Sequence, residues 1–206
     1  MIDLPRIECA VRGFGPVSAQ AEVEPWLEIP AAALRETARG IPPAQATFVQ
    51  VGRTEEELRV LFSCEDAHPS ATLTERDAAL YEEEVVEVFI DSVGDLESYY
   101  ELELNPLNTV LDLVLRRTRS GYRKDARWDC DGLRTAVQRT AAGWNAELAI
   151  PFLSVASAIP QRGDEWRVNF FRIDRPPNAP RELSAWSVTG RPLFHVPERF
   201  GFIGFV

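Results

Sequence analysis

Apolar and polar residues alternate along short stretches of this chain, and turn residues separate those stretches. Residues that alternate in this way point to opposite faces of a β-strand. The pattern predicts about ten strands, at residues 7–11, 47–52, 58–64, 85–91, 99–105, 110–116, 133–139, 144–150, 167–173 and 200–206. Strands at this spacing with little helix indicate an all-β fold, an antiparallel β-sandwich of the jelly-roll or immunoglobulin-like kind.

Helical periodicity is weak and predicts one or two short helices. Residues 31–38 follow Pro30 and predict one short helix, and residues 152–156 follow Pro151 and predict a single turn. The proline-rich segment 176–180 predicts a loop and not a linker, because aromatic and strand-like sequence resumes directly after it. We therefore predict one domain over residues 1–206.

The predicted strand 85–91 carries carboxylates where a core strand would normally carry none. Its even-numbered residues are apolar and predict a core face, whereas its odd-numbered residues mix Glu87 and Asp91 with Val85 and Phe89. A face of that kind is typical of a sheet that lines a wet binding surface. From Asp77 to Leu115 the chain has eleven acidic residues and no Lys or Arg, which indicates a calcium-rich region, a polar ligand face or a solvated acidic edge.

Charge and hydropathy exclude some partners. The net charge of −10 argues against nucleic acid, which requires a basic surface. The one basic cluster, at residues 116–127 around Ser120 and Gly121, predicts a solvated hairpin tip. No window approaches the roughly 18 apolar residues that a membrane-spanning helix needs, so no membrane partner is expected. Nothing in the sequence sets an oligomeric state.

The N-terminal residues and the cysteines bear on the cellular compartment. No basic region followed by an apolar stretch is visible at the N-terminus, which predicts a cytoplasmic protein, or an extracytoplasmic one if an export signal was removed. Cys9, Cys64 and Cys130 are an odd number and have no CxxC spacing. They predict buried free thiols and neither a disulfide framework nor a zinc site.

Several segments, in their order along the chain, resemble a known family. They are residues 58–66, 84–91, 99–106, 143–152, 163–172, 184–187 and 194–201. Together they resemble the family 9 carbohydrate-binding modules and their stand-alone relatives, which belong to the wider DOMON-like group of β-sandwiches. The resemblance covers about residues 45–206. It implies a jelly-roll-like sandwich, supported by calcium, that binds sugars with aromatic side chains and performs no catalysis.

Sugar recognition needs a flat apolar platform and polar groups that hydrogen-bond to hydroxyls. Trp128 and Trp186 are the candidate platforms, although both could equally fold back over the end of the sandwich. Trp144 and Trp166 begin strands and predict core packing. The candidate polar groups, which we expect to converge on one concave face, are Glu87, Glu103, Asn105, Asn169 and Arg172. The alternative for these groups is a structural ion-pair network across neighbouring strands.

Calcium is the second candidate use of the acidic residues, because it takes six to eight oxygen ligands. The candidate ligands are acids at strand ends or in loops, namely Glu65, Asp66, Asp77, Asp91 and Asp95, with Glu83 and Glu84 beside them. No EF-hand spacing is present, so the calcium prediction rests mainly on the family resemblance.

Other functions are less well supported by the sequence. A glycoside hydrolase would use two carboxylates, but the acids are too many to single out a pair. Only His68 and His195 are available as a histidine base, so we expect no enzyme. Some DOMON-like domains hold haem between Met and His, but the only methionine here is Met1, so no haem is expected. We predict non-catalytic binding of a saccharide or polyol, with a protein–protein interaction module as the alternative.

Overall fold

A computed structural model describes residues 3–206, which are almost entirely β-structure. Within these residues fourteen strands form two sheets. The strands are β1 (Arg6–Cys9), β2 (Ala32–Ala33), β3 (Arg35–Glu36), β4 (Thr47–Arg53), β5 (Glu57–Glu65), β6 (Val85–Asp91), β7 (Ser98–Leu104), β8 (Val110–Thr118), β9 (Gly121–Asp125), β10 (Arg134–Arg139), β11 (Gly143–Pro151), β12 (Glu165–Asp174), β13 (Glu182–Ala185) and β14 (Gly201–Phe205). The predicted β-sandwich is confirmed.

The two sheets differ in their number of strands. The larger sheet runs β1-β14-β12-β6-β7-β8-β9, with β13 and β3 attached beside β12, and the smaller runs β10-β11-β5-β4-β2. All pairings between these strands are antiparallel except that of β1 with β14. The helical elements are α1 (Phe152–Val155) and three short 3-10 helices, at Trp26–Glu28, Leu80–Glu82 and Pro197–Arg199.

The main hydrophobic core lies between the two sheets. Val86, Val88 and Ile90 of β6 point into it and are fully buried, together with Phe62 of β5 and Leu148 of β11. The alternation of apolar and polar residues in β6 therefore predicted its core face correctly. Because β5 and β11 are buried along nearly their whole length, the smaller sheet forms a continuous apolar wall opposite β6.

A second hydrophobic cluster covers the opposite, outer face of the larger sheet. Val85 and Phe89 of β6 pack there against Leu80 and against residues of the segment 187–200, which we call the covering segment. Among these residues Phe194 stacks on Phe171 with 4.3 Å between ring centroids. The face that the sequence indicated as wet is thus largely enclosed.

The predicted helix at residues 31–38 is wrong, whereas the predicted turn at 152–156 is confirmed as α1. Ala32 pairs with Val49 in β4, and Glu36 pairs with Ser184 in β13. These edge pairings give two short strands in place of a helix, because backbone hydrogen bonds to neighbouring strands outweigh the intrinsic helix propensity of an alanine-rich stretch. The predicted basic hairpin is confirmed as β8 and β9, which turn at residues 119–120.

Residues 3–206 contain no helix that is long and apolar enough to cross a membrane.

Candidate functional site

A cavity of about 180 Å³ lies on the outer face of the larger sheet, below the covering segment. Its walls combine two acidic residues, three basic or imidazole groups and several apolar side chains. The lining residues are Tyr81, Glu87, Glu101, Lys124, Ile173, Arg181, Leu183, Pro192, Leu193, Phe194 and His195. Side chains of both charges that meet in one cavity are typical of a site for a polar ligand.

The strand phases of β6 and β7 place the two cavity carboxylates. Glu87 lies on the outer face of β6, and Phe89, two residues further on, pairs with Glu101 of β7. Glu87 itself pairs with Glu103, which is the next outward residue of β7. The regular twofold alternation of both strands therefore gathers three glutamates on the outer face.

Lys124 connects the hairpin β8–β9 to the cavity. Its Nζ lies 3.3 Å from Oε1 of Glu101 and donates a hydrogen bond to it. The same Nζ lies 5.1 Å from the ring centroid of Tyr81, which is a cation–π distance. Tyr81 belongs to the 3-10 helix Leu80–Glu82 and is 39% exposed, so part of its ring is free to meet a ligand.

The covering segment is anchored at both of its ends. Asn169 of β12 donates from its Nδ2 to the carbonyl of Ser187 and accepts from the Ser187 N–H, both at 2.9 Å. The Ser187 hydroxyl in turn donates to the carbonyl of Arg199 at 2.6 Å. Between these anchors His195 stacks on Phe89 and shares a hydrogen bond of 2.8 Å with the hydroxyl of Tyr99. One wall of the cavity is thereby fixed to the sheet.

Burial shifts the protonation of the groups beside the cavity. Desolvation, followed by repulsion from Glu101, raises the pKa of Glu87 well above its usual range. Desolvation and the neighbouring glutamates raise the pKa of Glu103 in the same direction. Burial also lowers the pKa of His195, although the nearby Glu101 opposes that shift. These three groups favour their neutral forms unless a ligand or ion supplies compensating charge.

Of the polar residues proposed from the sequence, Glu87 lines the cavity and Glu103 adjoins it. Asn169 lies on the same outer face, but its carboxamide is used in holding Ser187. Asn105 is fully buried at the end of β7, where its Oδ1 accepts from Thr109 N and its Nδ2 donates to the carbonyl of Leu73. The expected convergence therefore holds for only part of the set.

Arg172 lies on the opposite face of β12 from Asn169, so its expected place beside Glu87 is wrong. Its guanidinium is 1% exposed and points between the sheets. Nη2 lies 2.9 Å from Asp66, 3.0 Å from Glu84 and 3.4 Å from Asp174. The alternative that we considered, a structural ion-pair network, describes this arginine.

Neither candidate tryptophan lies in the cavity. Trp186 is 8% exposed, belongs to the core between the sheets and lies 5.5 Å from the ring of Phe170. Trp128 is half-buried and packs on Tyr100 at 4.7 Å, also against that core. The residues before Trp186 and around Trp128 are polar or small, so the sequence did not predict that both rings pack inward.

The acids proposed as calcium ligands do not come together in one place. Asp66 and Glu84 do lie together, but both contact the guanidinium of Arg172, and Asp77 belongs to a separate cluster with Asp112 and Asp129. Asp91 accepts from the N–H groups of Gly94 and Leu96, and so holds a turn. Glu65 ends β5, and its backbone carbonyl accepts a hydrogen bond from Arg172. Asp95 lies in a loop and accepts a hydrogen bond from the N–H of Glu97.

The Arg172 network leads to a prediction about pH. Burial, together with a hydrogen bond to Asp66, raises the pKa of Glu84 from 4.5 to about 8. Since the folded state keeps a proton that the unfolded chain releases, the free energy of unfolding should decrease as pH rises from about 4.5 to 8. Glu84→Gln cannot ionise, so we expect a flatter profile for this variant in urea titrations at pH 5, 6, 7 and 8. Parallel profiles for the two proteins would contradict this.

Sequence reasoning missed most of the cavity lining. Tyr81, Glu101, Lys124, Arg181 and His195 were not proposed as ligand-binding residues. Two signals were present: Tyr81 directly precedes the acidic run, and Glu101 shares the phase of Glu103 on β7. Nothing local marks Arg181 or His195, because only the tertiary fold brings the loop before β13 and the covering segment to the cavity.

The chain is thus a β-sandwich module in which an aromatic ring and charged groups of both signs line one cavity on the outer face of the larger sheet. The chain belongs to carbohydrate-binding family 9, whose model matches residues 41–205. It is therefore a carbohydrate-binding domain of a non-catalytic kind, as the resemblance implied. No curated protein sequence is significantly similar to the chain.

Solved structures with the same fold include carbohydrate-binding modules. A protein from Bacteroides uniformis ATCC 8492, provisionally described as carbohydrate-binding, has a TM-score of 0.79 at 18% identity, over 98% of this chain and 99% of that one. A family 9 module from Caldicellulosiruptor kristjanssonii in complex with cellotriose has a TM-score of 0.71 at 16% identity, over 98% and 93%. A complex of a module from that organism with glucose has a TM-score of 0.69 at 16% identity, over 98% and 96%.

Proposed function

We propose that the cavity below the covering segment is the saccharide-binding site and that it holds one sugar ring. Its volume of about 180 Å³ supports this size. An engineered protein cavity of about 150 Å³ holds one benzene molecule, so a cavity slightly larger suits one pyranose ring and little more. Further sugar units of an oligosaccharide would extend into solvent.

The chemistry of the lining supports a polyhydroxylated ligand. Glu87 and Glu101 offer carboxyl oxygens to sugar hydroxyls, while Lys124 and Arg181 offer N–H donors. Charge-assisted hydrogen bonds, such as those that Lys124 and Arg181 can donate, are about twice as strong as neutral ones. The exposed part of Tyr81 supplies an apolar ring face for the C–H groups of a pyranose. The meeting of this ring with charged groups of both signs is the observation that carries the proposal.

Replacing Tyr81 tests the site with little risk to the fold, because this ring is more than one-third exposed. Glucose and cellotriose, which are bound in the two Caldicellulosiruptor structures, are the probes. We expect Tyr81→Ala to weaken binding by about 1–2 kcal/mol, or roughly 5- to 30-fold in Kd, through loss of the aromatic contact. Isothermal titration calorimetry with each sugar measures the change.

Tyr81→Phe is the matched control, since it keeps the ring and removes only the hydroxyl. This variant should bind within about twofold of the unchanged protein if the ring face is what the sugar meets. Equal affinity of Tyr81→Ala and the unchanged protein would place the sugar elsewhere. Absence of heat with any mono- or oligosaccharide would favour the alternative, a protein–protein interaction module.

Calcium-supported binding stays a prediction for this chain. The acids that the sequence suggested do not form one cluster, and the Arg172 guanidinium is the partner of Asp66 and Glu84.

A further inference from the structure

A second cavity, of about 370 Å³, adjoins the proposed sugar site. The two cavities have three wall residues in common, Arg181, Leu183 and Pro192, so they meet at these side chains. Arg181 lies in the exposed loop before β13, and Pro192 belongs to the covering segment. A ligand in the first cavity therefore reaches the second past the side chain of Arg181.

Polar side chains form most of the wall of the second cavity. Thr37 is 0% exposed there, and among residues 3–206 its buried Oγ1 has no hydrogen-bond partner. Buried polar atoms in folded proteins almost always have a partner, which is ordered water or a ligand where the chain provides none. The second cavity therefore suits a ligand that carries hydroxyl or charged groups.

Most carboxylates in the walls of the two cavities already have donors. Glu101 accepts from Lys124 at 3.3 Å. Glu36 accepts from the backbone N–H of Arg39 at 2.7 Å and forms an ion pair with its side chain at 3.3 Å. Glu182 follows Arg181 directly in the chain, but its carboxylate accepts from a backbone N–H at 2.8 Å and not from the guanidinium.

Arg181 is the cation that these contacts leave over. Among residues 3–206 it forms no ion pair, although it lies where the two cavities meet. Glu87, the remaining acid of the walls, does not supply the missing charge. Desolvation raises the pKa of Glu87 well above its usual range, so this carboxyl group favours its neutral form. A ligand with a negative charge would therefore meet a guanidinium that no carboxylate of the chain binds.

The chemistry of a guanidinium indicates which anion fits. Its planar fork of N–H groups matches a planar carboxylate, to which it donates two parallel hydrogen bonds. One unpaired guanidinium balances the single charge of a carboxylate, whereas a phosphate carries more negative charge at neutral pH. A sugar that bears a carboxylate in place of its C6 hydroxymethyl group is a uronic acid.

We propose that the site is selective for acidic saccharides and that Arg181 binds the carboxylate of a uronic acid unit where the two cavities meet. This inference rests on the proposed function, since it names the class of saccharide that the same site takes. The ring of the uronic acid lies in the first cavity. The second cavity receives an adjoining sugar unit and is open to solvent along Arg39 and Pro180, which are exposed.

Calorimetry with three monosaccharides of similar size tests the selectivity. Glucose is neutral, glucuronate carries the carboxylate, and glucuronamide has nearly the shape of glucuronate without its charge. We expect the unchanged protein to bind glucuronate about tenfold or more tightly than glucose, and glucuronamide about as tightly as glucose. Raising sodium chloride from about 50 to 500 mM should reduce the preference for glucuronate, because salt screens the exposed guanidinium.

Replacing Arg181 tests its part in the selectivity. Arg181→Gln removes the charge and keeps an amide donor, so the ratio of the affinities for glucuronate and glucose should fall about tenfold or more. Arg181→Lys keeps the charge but loses the fork, and should retain part of the preference. Arg162→Gln is the matched control, because Arg162 is exposed before the start of β12 and Ile173, which lines the cavity, lies near the end of that strand. This control should leave the ratio within about twofold.

The outcomes separate this inference from the proposed function. Equal affinity of the unchanged protein for glucose and glucuronate would overturn the acidic selectivity and leave the sugar site in place. A preference that survives in Arg181→Gln, or that falls as far in Arg162→Gln, would overturn the role of Arg181. Absence of binding of all three sugars would overturn both proposals together.

Discussion

We expect Arg172→Met to lower the free energy of unfolding by about 3–5 kcal/mol, because it leaves the buried carboxylates of Asp66 and Asp174 without their cation and removes a donor to Glu84. Arg172 extends from β12 in the larger sheet to partners on the smaller one. Its Nη1 donates to Thr47 Oγ1 at 3.1 Å and to the carbonyl of Glu65 at 2.8 Å. Methionine retains the apolar stem of the side chain, so the loss reports the guanidinium and its bonds. Urea titration at pH 7, monitored by far-UV circular dichroism, measures it.

Two further variants serve as controls for Arg172→Met. Arg6→Met breaks an ion pair with Glu165 in which both side chains are more than one-third exposed, and it should cost about 0–1 kcal/mol. Adding Asp66→Asn to Arg172→Met removes one of the stranded charges and should restore part of the loss. A decrease below about 1 kcal/mol for Arg172→Met would show that protons or water replace the arginine without difficulty.

Trp186→Ala should lower the free energy of unfolding by about 3–5 kcal/mol as well, while leaving sugar affinity unchanged. The indole fills a space between Phe170 and the backbone of β14. A Cβ at Gly201 would lie 2.4 Å from Cζ3 of Trp186, so this glycine is needed where the ring packs on β14. Truncation to alanine leaves a cavity that these rigid neighbours cannot fill. Thermal and urea unfolding measure the stability, and calorimetry with cellotriose measures the binding.

The two measurements separate the roles of Trp186 clearly. As a sugar platform this tryptophan would lose binding and keep its stability on truncation, which is the reverse of the expectation from the structure. Trp186→Phe retains an aromatic ring and should recover more than half of the lost stability. A weaker affinity for cellotriose in a fully folded Trp186→Ala protein would return this residue to the binding site.

The sequence predicted the sandwich well because alternation is informative where one face of a strand differs from the other. In β6 the even residues are all apolar and the odd residues are mixed, so the position of Glu87 followed directly. In β12 both faces are buried: Phe170 points into the core between the sheets, and Phe171 points outward below the covering segment. With apolar residues on both sides, the phase of Arg172 was not readable from the strand.

The site was harder to predict because several of its residues lie outside regular strands, where apolar and polar residues do not alternate. Tyr81 lies in a single 3-10 turn, and His195 lies in the irregular covering segment. Lys124 belongs to a basic hairpin whose composition indicated a solvated tip, and most of that hairpin is indeed exposed. Only the tertiary contact of Lys124 with Glu101 shows that one of its residues turns toward the cavity.

The parallel pairing of β1 with β14 has a kinetic consequence. Arg6 pairs with Phe202, so this contact closes a loop that spans nearly the whole chain. Contacts between residues so far apart in sequence form slowly, because the entropy of closing the loop is lost before the contact stabilises anything. The covering segment directly precedes β14. We therefore expect the cavity to mature last during refolding, after the sandwich has already assembled.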